Sequence, residues 1–373
     1  MRAVQAMARA GVLCLVFCLA AVAPSAWAAE SPNDVARFLA GLPVSDDSPL
    51  APLTKEGGWK EHARALDAAW SKLEKDRLAK VRTWSAANLT KPQPTLLYMF
   101  SGPDFLYADA FFPDRTTYVF SGLEPVGQIP SITPTLTKSY PAALAGLRQA
   151  IGTSVNYSFF VTMQMQSHLQ NRALRGVLPV LYLFMARAGK TITDVTLVAV
   201  DNDGKLVEAG TKGATQGVKI TFTGASGKVQ TLYYFQTDLS NSGVARSGFL
   251  KFCESLGVAE VFIKSASYLL HGGNFSTVRT FLIDRAATVV QDDSGIPVRF
   301  FTAPEWSLKP FGRYVGPIPI FSGQYQRALS EVFRKLNAPA LEFGVGYRWR
   351  PHESNLLMAS RARDVAQETP RPQ

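Results

Sequence analysis

The sequence predicts an α/β fold: a mixed β-sheet flanked by helices in three layers with a Rossmann-like start, an antiparallel hairpin region, and an N-terminal helical segment. Three observations predict it. Residues 95–100 and 116–120 are short, nearly all-apolar runs, as expected of strands buried on both faces. Each ends in a glycine-containing loop that carries a carboxylate, Asp104 or Glu124. Between residues 194 and 238 the pattern changes to period-two alternation broken by Asp201-Asn-Asp-Gly204 and Thr223-Gly-Ala-Ser-Gly227, which reads as antiparallel hairpins. Of the 373 residues, 47% are hydrophobic and 18% charged, enough apolar material for a packed core and too much for a disordered chain.

The elements follow in order. Residues 1–28 hold no acid, two arginines (Arg2, Arg9), an apolar run from Gly11 to Val22 and the small-residue site Ala26-Trp-Ala28. This is the pattern of a cleaved secretory signal, and its apolar run is too short to span a bilayer. Cleavage after Ala28 removes Cys14 and Cys18 and leaves Cys253 alone, so no internal disulfide is expected. It also lowers the formal charge from +10 to +8. Residues 33–42 form a short helix. Residues 59–89 form one long helix or two broken ones, with Trp59, Ala63, Leu66, Trp70, Leu73, Val81 and Trp84 at three- and four-residue steps on a face that packs against its own domain or, in the competing reading, binds a partner. After the strand at 95–100 come a turn, a short helix at 105–112, a turn at Pro113-Asp114 and the strand at 116–120. Residues 141–151 and 159–172 are helical. Residues 177–186 are apolar but too few to span a membrane. Helices are expected at 249–256, 265–270, 277–284 and 325–336, and strands at 288–291, 297–301 and 343–349. The tail is polar and Pro-containing, and disorder is expected there. The domain reading is therefore a signal at 1–28, a helical segment at 29–90 packed on the core, one α/β domain at 91–356 and a disordered tail at 357–373.

Several chemistries lack their residues. No G-x-S-x-G elbow and no G-x-G-x-x-G fingerprint exist, so neither a common hydrolase nucleophile nor dinucleotide binding is expected. Gly224-Ala-Ser-Gly-Lys228 has the wrong spacing for a phosphate loop, and Asp201-Asn-Asp-Gly204 lacks the rest of a calcium loop. His62, His168, His271 and His352 do not pair at metal-ligand spacing. No metal and no cofactor are expected. The basic residues are dispersed, which argues against a nucleic-acid partner.

Three constellations remain. Asp104 and Glu124 are the candidate catalytic residues: carboxylates at adjacent strand ends split their pKa values and allow acid/base work or cation binding. Tyr107 and Asp114 lie beside them. The competing reading has Asp104 capping a helix and Glu124 satisfying a turn amide. The second constellation is Lys264-Ser-Ala-Ser-Tyr268-Leu-Leu-His271-Gly-Gly. On a helix it would put Lys264 with Tyr268, and Ser267 with His271, on shared faces. The third is Asp292-Asp293 in a Ser-Gly turn together with Arg313-Tyr314, a pair suited to an anionic or sugar-like ligand.

The runs LLYMFSGPDFLYADAFFPDRTTYVFSGLEPVG (96–127), SASYLLHGGNFSTVRTFLI (265–283), VQDDSGIPVRFF (290–301) and LKPFGRYVGPI (308–318) resemble a family of uncharacterised secreted (periplasmic) bacterial proteins. The resemblance spans most of residues 59–356 and implies one exported globular unit, with no activity attached. Two functional readings stay open. One is a non-catalytic periplasmic ligand-binding or envelope accessory protein, its partner an envelope ligand or protein, with a cleft near Asp104, Glu124, Asp292 and Arg313. The other is a periplasmic hydrolase of an envelope glycan or ester using Asp104 and Glu124. No transmembrane segment is expected after cleavage.

Overall fold

The computed structural model describes residues 30–132, 139–159, 167–168 and 174–362. The signal-like segment, most of the expected helix at 159–172 and the chain beyond residue 362 lie outside them. The fold is mixed α/β, built on one ten-stranded sheet of order β4-β3-β5-β6-β2-β1-β7-β8-β10-β9. The strands are β1 (Thr95–Tyr98), β2 (Thr117–Gly122), β3 (Thr191–Val200), β4 (Leu206–Glu208), β5 (Thr215–Thr223), β6 (Val229–Gln236), β7 (Ala259–Ile263), β8 (Ala286–Gln291), β9 (Trp306–Gly312) and β10 (Asn355–Arg361). Five central strands, β6-β2-β1-β7-β8, run parallel. The strands β5, β3 and β4 on one side and β10 and β9 on the other are antiparallel additions. From β1 the chain adds β2 on one flank, makes the antiparallel excursion, returns through β6, and then crosses to β7 on the opposite flank. The strand order therefore reverses between β1 and β7.

The sequence explains why both faces are covered. Every residue of β1 and β7 is buried. Leu96 and Tyr98 point into one apolar cluster and Leu97 and Met99 into another, as period-two alternation requires. The first cluster takes up the early helices: α1 (Pro32–Leu39), α2 (Gly57–Leu73), α3 (Ala79–Asn88), α4 (Phe105–Phe111), α5 (Tyr140–Tyr157) and α6 (Leu178–Arg187). The second takes up α7 (Asn241–Val244), α8 (Phe249–Ser255), α9 (Ser276–Arg285) and α10 (Arg327–Lys335). Helix α6 is apolar on all sides because nearly all of its side chains are buried. Cys253 sits in the second cluster as a buried thiol. No helix among the described residues is long and apolar enough to cross a membrane.

The N-terminal helices pack in cis. Ser31 caps α1 by accepting from the Asp34 amide at 3.0 Å, and Pro32 supplies a preformed first turn. Gly41, at φ +65°, lets the end of α1 approach α2 so closely that a Cβ there would lie 2.7 Å from Ala63 Cα. Trp59 Nε1 and His62 Nε2 donate to the carbonyls of Phe38 and Leu39 at 3.1 and 2.8 Å. Helices α2 and α3 are continuous through a π-turn at Glu74–Leu78, and that turn carries Arg77 inward.

Four expectations are corrected. Residues 265–268 are not helical, since Ser265, Ser267 and Tyr268 all have left-handed backbone, at φ +53°, +51° and +56°, and only a single 3-10 turn, Leu269–His271, follows. Residues 343–349 hold only an isolated bridge between Val345 and Arg348, because Gly344 packs against the Trp349 carbonyl and Gly346 turns the chain at φ +72°. Residues 297–301 contain a 3-10 turn, Val298–Phe300, rather than a strand. The expected disordered tail begins inside β10, which pairs on both sides, with β8 and with β9. Leu356, Leu357 and Ala359 are buried, while Arg361 donates to the carbonyls of Ala286 and Ile283 at 3.0 and 2.7 Å and lies over the Trp306 ring. A guanidinium satisfied in this way makes a polar-looking segment a structural one.

Candidate functional site

The loops leaving β1, β2, β6 and β7 enclose a cavity of about 310 Å³. It lies at the carboxyl ends of the parallel strands, where the order reverses, the place at which open α/β sheets bind ligands.

Its floor is an ion pair. Asp104 caps α4, with Oδ1 accepting from the Tyr107 amide at 3.3 Å. Oδ2 accepts from Tyr98 Oη at 2.7 Å and from Lys264 Nζ at 2.9 Å. Both charged side chains are 2% exposed. Lys264 also donates to the Ser158 carbonyl and sits 4.4 Å from the centre of the Tyr107 ring. That carbonyl is delivered by the left-handed residue, φ +72°, that ends α5. Tyr107 Oη accepts from Arg77 at 2.7 Å, and Arg77 reaches the carbonyls of Val155 and Asn156 at 3.5 and 3.2 Å. Burial pushes the Tyr98 and Tyr107 phenols up; Asp104 adds to both shifts, and Arg77 opposes that of Tyr107. Both stay protonated, Tyr98 as the donor to Asp104 and Tyr107 as the acceptor from Arg77.

Glu124 forms a second wall. It is buried, and its carboxylate lies over Gly122 and Gly102; a Cβ at Gly122 would collide with Oε2 and come within 2.9 Å of Tyr234 Oη. Tyr234 Oη donates to the Glu124 carbonyl at 2.8 Å and lies 3.4 Å from Oε2. Asp238 stands at the rim, accepting from the amide and hydroxyl of Ser240, each at 2.8 Å. Phe100 faces Phe275 at 6.1 Å between ring centres, and Phe159 meets Tyr347 edge-on at 5.3 Å.

The loop after β7 is strained and pinned from behind. Asp292 Oδ2 accepts the Ser265 amide at 2.9 Å, and Ser294 Oγ accepts the Ala266 amide at 2.8 Å. Ser294 in turn donates its amide and hydroxyl to Asp292 Oδ1 at 3.0 and 2.5 Å. Asp293 accepts from Tyr268 Oη at 2.7 Å and from Asn355 at 3.3 Å. Tyr347 Oη donates to the Ser265 carbonyl at 2.9 Å. Gly346 must be glycine, since a Cβ would collide with Asp292 Oδ2. Burial, and then the neighbouring Asp293, raise the Asp292 carboxyl to about 6; burial raises Asp293 as well. Left-handed non-glycine residues persist only where the surroundings over-determine them, as these two carboxylates do. Phe100 after β1, at φ +67°, is a further such residue in the cavity wall.

The structure thus brings Asp104, Glu124 and Lys264 into one cavity. Tyr107 lies beneath Lys264, and Asp292 and Asp293 hold the 264–268 loop from outside. The proposed helical face of Lys264 with Tyr268 and Ser267 with His271 does not exist. His271 lines a separate hollow of about 350 Å³ with Arg299 and residues 323–328. Burial, and then Arg299, lower the His271 imidazole to about 4. Tyr314 is close to that hollow, stacked on Tyr325 at 5.4 Å and accepting from the Gln326 amide at 2.8 Å. Arg313 is exposed and lines neither hollow; its amide donates to the Ser354 carbonyl at 2.8 Å. Asp114 is exposed at the amino-terminal end of β2, accepting from Ser226 at 3.4 Å. Reading the sequence missed Arg77, Tyr98, Ser158 and Tyr347. Tyr98 looks like strand core and Arg77 like a solvated helix face, and no spacing marks either of them.

Among the described residues no group of three or more His, Cys, Asp or Glu side chains is placed to hold a metal ion. Comparison with protein-family models, curated proteins and solved structures finds no match to this chain.

Proposed function

We propose that this chain is a non-catalytic ligand-binding protein of the periplasm, exported by a signal at 1–28, that holds a small envelope ligand on a three-layer, Rossmann-like core. The observation that carries the reading is the cavity at the strand-order reversal, floored by a buried and fully bonded Asp104–Lys264 pair. The same pair weighs against hydrolysis by Asp104 and Glu124. A general acid or base needs a free lone pair or a transferable proton aimed at substrate. Three of the four acceptor sites of the Asp104 carboxylate are already taken, by an amide, a phenol and an ammonium, and the side chain is 2% exposed. Asp104 supports the cavity instead of reacting in it.

The test is a thermal-shift screen of residues 29–373 against envelope glycans, lipids, amines and anions. A ligand of the native state raises the melting temperature by mass action. The expected result is a hit that Leu269→Trp, at the cavity mouth, abolishes and Arg313→Ala leaves unchanged. A hit that survives Leu269→Trp, or turnover of the hit compound, contradicts the reading.

A further inference from the structure

We propose that the hollow beside His271 is a second binding site, one that takes a phosphate group, free or as an ester. It lies apart from the cavity at the strand-order reversal and does not depend on what that cavity holds. Its wall is formed by residues 297–299, by the approach to α10 at 323–328 and by His271. Two guanidiniums, Arg299 and Arg327, line it; among the described residues no carboxylate does. Its volume of about 350 Å³ is at the small end of ligand pockets and is more than a bare phosphate fills.

The arginines are arranged for an anion. The Arg299 guanidinium lies 4.9 Å from the centre of the Phe300 ring, and among the described residues it meets neither a carboxylate nor a hydrogen-bond acceptor. Arg279, from α9, lies against the same ring at 4.2 Å and donates to the carbonyls of Leu270 and Gly272 at 2.7 and 3.0 Å. Two like charges thus flank one ring with no acid between them. Burial, and then Arg299, lower the Arg279 guanidinium from its ordinary range. An anion held by Arg299 relieves that repulsion. Arg327 meets Glu331 at 3.4 Å, an exposed pair one turn along α10 that is worth little in water and does not hold Arg327 from a ligand. Gln326 does not cap α10: its side chain accepts from the Val298 amide at 3.1 Å and donates to the Asp293 carbonyl at 3.0 Å. The first-turn amides of α10 are left uncapped beside the two guanidiniums and add to the positive field that these create. Guanidiniums on separate elements around one hollow suit the oxygens of a phosphate, which point several ways, better than the two of a planar carboxylate.

The test is calorimetric titration of residues 29–373 at low ionic strength with four probes: glycerol phosphate, inorganic phosphate, acetate and glycerol. Glycerol phosphate is expected to bind saturably and on the order of tenfold tighter than acetate, and glycerol not to bind. Inorganic phosphate separates the sources: weaker binding than the ester assigns the hollow to an ester, equal binding to the free ion. Arg299→Ala is expected to weaken phosphate binding on the order of tenfold. Arg313→Ala, the same change of charge at an exposed residue outside the hollow, should leave it unchanged, as should Leu269→Trp. Ala328→Glu, at an exposed position on the wall, should abolish it. Acetate binding as tightly as phosphate, no saturable binding of either phosphate, or equal losses in Arg299→Ala and Arg313→Ala overturns the assignment. Loss of binding in Leu269→Trp also overturns it, by placing the anion in the other cavity. Phosphate in the buffer of the thermal-shift screen keeps this hollow filled, so the hits of that screen report on the first cavity alone.

Discussion

Removing both partners of the Asp104–Lys264 pair should cost less than the sum of removing each alone. At 2.9 Å, with an effective dielectric constant near 20, the attraction between the two charges is about 6 kcal/mol. Desolvation of two side chains at 2% exposure offsets much of it. Lys264→Met leaves a buried carboxylate that keeps only Tyr98 and the Tyr107 amide, and Asp104→Asn leaves a buried ammonium with one carbonyl and a ring face. Each single change is expected to cost about 3–5 kcal/mol. The double variant leaves no uncompensated charge and should cost less than the sum by at least about 2 kcal/mol. Urea unfolding of the four proteins, read by tryptophan fluorescence at pH 7.5, measures the cycle. Single costs that simply add would refute the view that each charge is buried mainly on the other's account.

Two further predictions concern pH. His62 donates from Nε2 to Leu39 and accepts at Nδ1 from Arg148 at 2.9 Å, so protonation would set an N–H against a guanidinium. Burial, and then the Arg148 charge, lower its imidazole to about 4. The stability this confers is present above about pH 6.5 and is lost as pH falls through 4, by up to about 3 kcal/mol. Urea unfolding of His62→Asn and the parent between pH 7.5 and 4 should therefore converge; parallel curves would refute the neutral-histidine assignment. Asp292 has the opposite sign. Its carboxyl is raised to about 6, so its contribution is full below the unfolded value near 3.9 and is lost as pH rises through 6. Relative to Asp292→Asn, the parent should lose on the order of 3 kcal/mol from pH 4 to pH 7. A difference that does not change with pH would place Asp292 in contact with water.

The central strands were legible because their composition states their environment: a strand buried on both faces has no room for polar residues, and 95–100 and 116–120 have almost none. The hairpins were legible from alternation and turn residues. The loops were not. Lys264 to His271 has helical spacing on paper, yet Ser265, Ser267 and Tyr268 adopt left-handed backbone because Asp292, Ser294 and Asp293, some 25 residues later in the chain, bind the Ser265 amide, the Ala266 amide and the Tyr268 hydroxyl. Local pattern cannot report a constraint supplied from that far away. The same reason hides Arg77: its place in the site depends on a π-turn and on α5 carbonyls 78 and 79 residues downstream. Asp104 and Glu124 could be found, since acids following buried strands are conspicuous. Their roles could not, because the partner that occupies Asp104 comes from β7.

The most direct test of the account is a crystal structure of residues 29–373 grown with a ligand from the screen. The account predicts density in the cavity between Glu124, Phe100 and Phe275, with the Asp104–Lys264 pair intact beneath it. Density confined to the hollow beside His271, or a ligand that displaces Lys264 from Asp104, would contradict it.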